Sequence, residues 1–190
     1  MLKSLYSLAS DESLYARFAR GNAAAFEVLY QRHKDSLFGY LYRSRADLPA
    51  IEEIAQETWL AVIDSARDFQ GSAKFRTYLF AIAHRKLVDS WRRKRQENVM
   101  VREDAQGRPV TESLEAGVAG TPGNTELAMD LLMALESLPR EQQQAYLLKE
   151  EGFSRREISA MTGSSEETVK SRIRYANKQL RSLLEVQYVD

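Results

Sequence analysis

Apolar residues recur at intervals of three and four along most of this chain, and strict alternation is almost nowhere sustained. That periodicity belongs to helices that bury one face, so the pattern predicts an all-α protein. Phe26, Leu29, Tyr30, Leu37 and Leu41 form one stripe; Ile51, Ile54, Ala55, Trp59, Val62 and Ile63 form the next, after a break at Pro49. A long third helix is predicted from about Phe75 to Arg95, with Phe75, Tyr78, Leu79 and Ile82 sharing a face. Between Gln96 and Asn124 the pattern collapses, and four of the nine glycines (Gly107, Gly117, Gly120, Gly123) and two of the four prolines (Pro109, Pro122) fall there. Both residue types interrupt helices, so this stretch reads as a linker. Beyond it, Leu127, Leu131, Leu135 and Leu138 predict a helix ending at Pro139, followed by one from about Arg140 to Gly152 with the glycine as its C-terminal cap, then by two more. The chain is therefore read as two small helical domains, residues 1–95 and 125–190, joined by a flexible linker over 96–124.

The last two helices carry the sharpest local signals. Ser154-Arg-Arg-Glu157 and Ser164-Ser-Glu-Glu167 both read as capping boxes, with a serine acceptor at a helix start and a carboxylate three residues on. Between them Thr162-Gly163 offers a glycine for the positive φ of a tight turn, and the small Ser159 lets two helices approach closely. This is helix-turn-helix patterning. Val169, Ile173, Ala176, Leu180 and Leu183 make the buried stripe of the second helix, which leaves Lys170, Ser171 and Arg174 to meet base edges in a major groove and Arg172, Lys178 and Arg181 to meet phosphates. The competing reading is a solvated basic face. Glu166 and Glu167 count slightly against DNA unless they are committed to capping.

Charge changes the picture only when it is resolved along the chain. Lys plus Arg and Asp plus Glu stand at 27 each, so no global field announces a polyanion partner. Yet the twelve residues His84 to Arg95 hold six Lys or Arg (Arg85, Lys86, Arg92, Arg93, Lys94, Arg95) with Trp91 among them and Asp89 as their one acid. The linker then carries Glu97, Glu103, Asp104, Glu112 and Glu115 against Arg102 and Arg108. Cations beside Phe69, Phe75, Tyr78 and Phe80 suit unpaired nucleic acid, because bases stack on rings while phosphates meet charge; taken singly, each ring also suits the core. Asp68 to Lys74, with Gly71, reads as an exposed loop opening into this helix and is the better candidate for gripping a flipped base. On the Ile51 helix, Glu52, Glu53, Gln56, Glu57 and Asp64 lie opposite the apolar stripe, a face that repels DNA and suits either solvent or a basic protein.

Other chemistry finds little support. There is no cysteine, and composition is that of an ordinary globular protein, 44% apolar and 28% charged. Two histidines, His33 and His84, with no glycine-rich phosphate loop and no metal-ligand spacing, predict neither an enzyme nor a cofactor or metal site. His33 lies near its helix's apolar stripe and reads as structural. No apolar run approaches a membrane span, and the first ten residues are too short in apolar core for a signal peptide, so a cytoplasmic protein with no membrane contact of its own is expected.

Taken in order, Glu53-Ile-Ala-Gln-Glu-Thr-Trp59, Phe69-Gln-Gly-Ser-Ala-Lys-Phe-Arg-Thr-Tyr-Leu-Phe-Ala-Ile-Ala83 and Asp89-Ser-Trp-Arg-Arg93 resemble the first domain of extracytoplasmic-function (ECF) sigma factors. Leu135-Glu-Ser-Leu-Pro139, Glu157-Ile158 and Thr168-Val-Lys-Ser-Arg-Ile173 resemble their second. The resemblance covers about Glu12 to Leu184. It implies a non-catalytic subunit that joins core RNA polymerase, directs it to promoters and helps open the minus-ten element. It places Glu52, Glu53, Gln56 and Glu57 against a basic coiled coil of the polymerase. It assigns Phe69, Gln70, Gly71, Ser72 and Lys74, with Tyr78, Arg85, Lys86, Trp91, Arg92 and Arg93, to minus-ten DNA, double-stranded and melted. Ser165, Thr168, Lys170, Ser171, Arg172, Arg174 and Lys178 fall to the minus-thirty-five element, and the acidic linker to a path towards the RNA exit channel. An anti-sigma factor is the expected further partner. The chain departs from the common pattern at His84-Arg85, where many members have Arg-Asn, at Tyr78, where tryptophan is common, and at Glu167, where glycine is usual. A conventional helix-turn-helix regulator that never joins polymerase is the main rival, and it leaves the basic and acidic helices of the first domain without roles.

Overall fold

The computed structural model describes residues 6, 8–44, 48–66, 74–104 and 122–187, of which 98–104, 122–127 and 184–187 are described by their backbone alone. Among the described residues every regular element is a helix: α1 (Asp11–Ala19), α2 (Ala23–Arg43), α3 (Leu48–Asp64) and α4 (Phe75–Asp104), then α5 (Pro122–Glu136), α6 (Arg140–Glu150), α7 (Arg155–Thr162) and α8 (Glu166–Gln187). The first four pack as one bundle, α1 on α2 and α3 on α4, with α2 across the middle; the last four gather around α8.

Local signals set the helix ends. Ser10 caps α1 by accepting the Ser13 N–H at 3.2 Å, and Asp11 and Glu12 complement the first turn's positive dipole end. Asn22 caps α2 through the Ala25 N–H at 3.2 Å, after a turn that Gly21 permits at φ 95°. Pro49 is the second residue of α3, where its missing N–H breaks no helical bond, so the expected break is a helix start. At the other end of the chain Gly152, at φ 86°, ends α6 by donating its N–H to the Lys149 carbonyl at 2.9 Å.

The buried face follows the stripes. Leu29, Leu37 and Leu41 of α2, Ile51, Ile54, Trp59 and Val62 of α3, and Phe75, Leu79, Phe80, Ala83 and Leu87 of α4 lie in the core. Each fully buried Leu, Ile or Phe contributes about 1.5–3 kcal/mol of burial. Three stripe members lie elsewhere: Tyr30, Ile63 and Leu183 are exposed, Tyr30 with its ring 5.1 Å from that of Trp59. Leu131 of α5 is likewise exposed, while Leu135 and Leu138 are buried.

Helix α4 runs nine residues past Arg95, through the first third of the expected linker, to Asp104. Residues 96–104 hold no glycine or proline, and a helix already nucleated upstream extends through such a stretch at little cost. The linker expected over 96–124 therefore contains a helical first part and, from Pro122, the opening turn of α5. No helix among the described residues is long and apolar enough to cross a membrane.

Candidate nucleic-acid interface

The C-terminal pair of helices is built by its caps. Ser154 accepts the Glu157 N–H at 3.2 Å while the Glu157 carboxylate takes the Ser154 N–H at 2.9 Å, a complete capping box. These bonds from the Ser154 backbone and side chain, with a further one from Thr77, hold the Glu157 carboxyl below the usual carboxylate range against the effect of burial. Gly163 closes α7 in the left-handed region at φ 65°, and the Ser159 hydroxyl spans the turn to the Ser164 carbonyl at 2.6 Å.

The second box does not form as its sequence reads. Ser165, one residue later, caps α8 by accepting the Thr168 N–H at 3.1 Å, and its hydroxyl meets the Thr168 hydroxyl at 2.8 Å. Ser164 instead accepts from Arg172 at 2.7 Å, and Glu167 turns to Lys170 at 3.2 Å. Only Ser164 has a glutamate three residues on, whereas Ser165 has Thr168, so the cap that forms is a serine cap without the reciprocal carboxylate of a box.

Helix α8 buries Val169, Ala176 and Leu180 and half-buries Ile173. Lys170, Arg174 and Lys178, each four residues from the next, form an exposed row with Ser165 and Thr168 at its N-terminal end, and Ser171 is half-buried beside it. Arg174 leans over the Tyr175 ring at 5.1 Å, and Arg181 is exposed further along. Arg172 stands apart from this row, its guanidinium tied back to Ser164.

In the first domain, Glu12 of α1 reaches across the bundle and accepts the Phe75 N–H at 3.0 Å, capping α4 from 63 residues away. Nearby, Asp11 holds His33 at 2.7 Å and Arg32 at 2.7 Å; burial pushes the Asp11 carboxyl up, but these two partners together hold it below its ordinary value. His33 is a buried structural residue, as its place on the stripe predicts. Phe69, Gln70, Gly71 and Ser72, with Asp68, lie outside the described residues. Lys74 at the mouth of α4 is exposed. Tyr78 is half-buried; its ring lies 6.2 Å from that of Tyr15, whose own hydroxyl is pushed up to about 12 by burial, and its hydroxyl bonds Ser65. Phe75 and Phe80 are core rings with no exposure. Arg85, Arg92, Arg93, Lys94 and Arg95 are exposed, Arg92 lying 3.6 Å from Asp89. Trp91 is half-buried beneath the Arg140 guanidinium, 4.5 Å from the ring centroid.

On α3, Glu52, Glu53 and Gln56 are exposed, and Glu57 pairs with Lys86 at 2.9 Å. One residue of the acidic face and one of the basic helix thus neutralise each other. Beside Glu52 and Gln56 a groove of about 490 Å³ runs between α2 and α3, floored by Phe26, Tyr30 and Trp59 and flanked by Phe38, Leu60 and Ile63. The acidic face therefore has an apolar neighbour. Tyr30 and Ile63 were legible as apolar positions but read as core, while Phe38 and Leu60 lie off the stripes and carried the only signal of exposure.

Two helical domains, the second a helix-turn-helix with an outward basic row, define a DNA-reading protein of two parts. Residues 29–97 match Sigma-70 region 2, and residues 128–180 match Sigma-70, region 4. The chain is 30% identical over 169 residues to RNA polymerase sigma factor CarQ of Myxococcus xanthus, covering 88% of this chain and 94% of that one. It is 29% identical over 172 residues to ECF RNA polymerase sigma factor SigL of Mycobacterium tuberculosis, covering 88% and 93%. Its structure resembles that of CnrH in complex with the cytosolic domain of CnrY, with TM-score 0.69 and 25% identity, covering 93% and 97%. The chain belongs to the ECF sigma factors. It is a non-enzymatic initiation factor that binds core RNA polymerase and directs promoter recognition.

Proposed function

We propose that the parts of this sigma factor divide the work by face. The acidic face of α3, Glu52, Glu53, Gln56 and Glu57, together with the adjoining apolar groove, docks a basic, partly apolar element of core polymerase. The 69–74 segment and α4, through Tyr78, Arg85, Lys86, Trp91, Arg92 and Arg93, take the minus-ten DNA and hold one strand as it opens. The row Ser165, Thr168, Lys170, Ser171, Arg174 and Lys178 on α8 reads the minus-thirty-five element, with Arg172 joining only by giving up Ser164. The observation that carries this reading is the capped, glycine-turned entry into α8 with Lys170, Arg174 and Lys178 aligned on its open side. A helix anchored at its N-terminus presents such a row to a major groove. An anti-sigma factor is the further partner proposed: among similar structures, CnrH is in complex with the cytosolic domain of CnrY, and the sigma factor RpoE with the anti-sigma factor NepR from Bartonella quintana.

Run-off transcription with purified core polymerase on a genomic promoter pool tests the whole. Glu52→Lys with Glu53→Lys is expected to weaken assembly with core while leaving helicity unchanged. Normal assembly by that double variant removes the α3 face from the proposal, and transcription that depends on no shared upstream element removes α8.

A further inference from the structure

One stripe of α4 faces the C-terminal domain along its length. Thr77 donates to Glu157 at 2.9 Å, Phe80 meets Phe153 at 5.0 Å between centroids, and Trp91 lies under Arg140. At the centre of this joint stands Glu151, just past the end of α6, its side chain only 10% exposed. Its carboxylate accepts from Arg43 of α2, from Arg76 of α4 at 2.8 Å and from Ser36 at 2.7 Å, and its backbone carbonyl accepts a second bond from Arg76. The Arg76 guanidinium also lies over the rings of Phe80 and Phe153, at 4.9 and 4.5 Å. Lys74, next along at the mouth of α4, has Glu157 at 3.9 Å.

Two carboxylates of the C-terminal domain therefore sit on the cations that open α4, beside the segment assigned to minus-ten DNA. A carboxylate offers a guanidinium the same forked, anionic acceptor that a phosphate does. DNA and the C-terminal domain cannot both hold Arg76, whose guanidinium is committed to the Glu151 carboxylate and carbonyl. The charge balance at the centre is also uneven, one acid serving two arginines; without it, two part-buried guanidiniums of different helices would be left facing each other.

We propose that Glu151 is an internal latch, a phosphate mimic that holds this sigma factor closed on itself and keeps the mouth of α4 and Trp91 from DNA until another partner pulls the domains apart. This rests on the assignment of α4 to minus-ten DNA, but the closure itself does not. The apparent affinity of a masked site falls in proportion to the fraction of open molecules, so removing the latch raises it without changing any DNA contact.

The chain has no cysteine, so Gln31→Cys and Arg181→Cys, both exposed and outside the joint, accept a donor and an acceptor dye at unique places. On that background Glu151→Gln removes the charge and keeps the shape, and Arg43→Gln removes one of its partners without touching α4. Both are expected to lower energy transfer in the free protein at unchanged helicity, and to tighten binding of a single-stranded minus-ten oligonucleotide about tenfold. Unchanged transfer in both variants overturns the latch. Lowered transfer with a measurable oligonucleotide affinity no tighter than that of the wild type overturns the masking, because the joint then opens without exposing a further binding site. If the opened variants bind no oligonucleotide at all while transfer falls, the latch stands as a closure and the assignment of α4 fails instead.

Discussion

The register of the cap on α8 separates two structures that the same four residues, Ser164 to Glu167, could encode. With Ser165 as the cap, Ser165→Ala removes the acceptor of the Thr168 N–H at the helix start, a loss worth about 1 kcal/mol for a Ser-to-Ala N-cap. The Thr168 hydroxyl is exposed and turns to water, adding little. Ser164→Ala instead breaks the bond from Arg172, whose guanidinium is half-exposed and finds water as well, so its cost stays within about 0.5 kcal/mol. Glu167→Gln gives up an exposed pair with Lys170 and no capping bond, and is expected to be near neutral. Urea unfolding of the full chain followed by helicity measures all three, with the wild-type slope as the check that the transition itself is unchanged. The order expected is Ser165→Ala well below Ser164→Ala and Glu167→Gln. If Ser164→Ala and Glu167→Gln each cost about 1 kcal/mol and Ser165→Ala costs nothing, the box lies in the earlier register and Ser164, not Ser165, caps α8.

Three further outcomes are expected. Phe80→Ala empties a site with no exposure that touches the Tyr40 and Phe153 rings, at 5.4 and 5.0 Å, and should destabilise by about 3–5 kcal/mol in urea unfolding; a cost under 1 kcal/mol would show that the joint is not packed as described. The His84 imidazole is buried, which holds its pKa below 6.5 despite an opposing bond with Gln144, so the unfolded chain binds that proton first. Stability from this group is present above pH 6.5 and is lost as pH falls below it; the urea midpoint should drop from pH 7.5 to 5.5, and His84→Gln should flatten the drop, an outcome whose absence clears His84 of the effect. Lys170→Ala or Arg174→Ala should cost about 1–3 kcal/mol in promoter affinity and relax discrimination at one upstream position, whereas a uniform loss across sequences in a binding titration would reassign them to phosphate.

Periodicity made the helices legible, because burial of one face leaves its mark at every third and fourth residue. Leu29, Leu37, Ile54, Val62, Leu79 and Val169 lie in the core as their spacing predicts. Elsewhere the signal fades: residues 96–104 carry no regular apolar stripe to announce a helix, only the absence of glycine and proline, and the cap at Ser165 departs from the one capping-box match at that helix start, Ser164 to Glu167. The site was legible in the same uneven way. Lys170, Arg174 and Lys178 could be placed outward simply by being off the stripe. Arg76 and Glu151 could not be found, since an ion pair between residues 75 apart leaves no local pattern; each reads singly as an ordinary surface charge. Tyr40 is similar. Its hydroxyl donates to Gln144 and so must accept from His84 Nδ1 at 3.1 Å, a chain of three side chains from three helices that only the folded arrangement assembles.

The extra turns of α4 shorten the leash between the two halves. Were the connection free from residue 96 to 124, a fully stretched chain could span roughly 100 Å at the 3.3–3.6 Å per residue of extended backbone. With α4 intact to Asp104 and α5 starting at Pro122, the stretch 105–121 can reach only about 60 Å. The two surfaces proposed to read DNA can therefore separate along a promoter only as far as that tether and the outward swing of α4's stiff end permit, and an upstream and a downstream element set further apart would have to be brought within range by bending the DNA or by unwinding the helix.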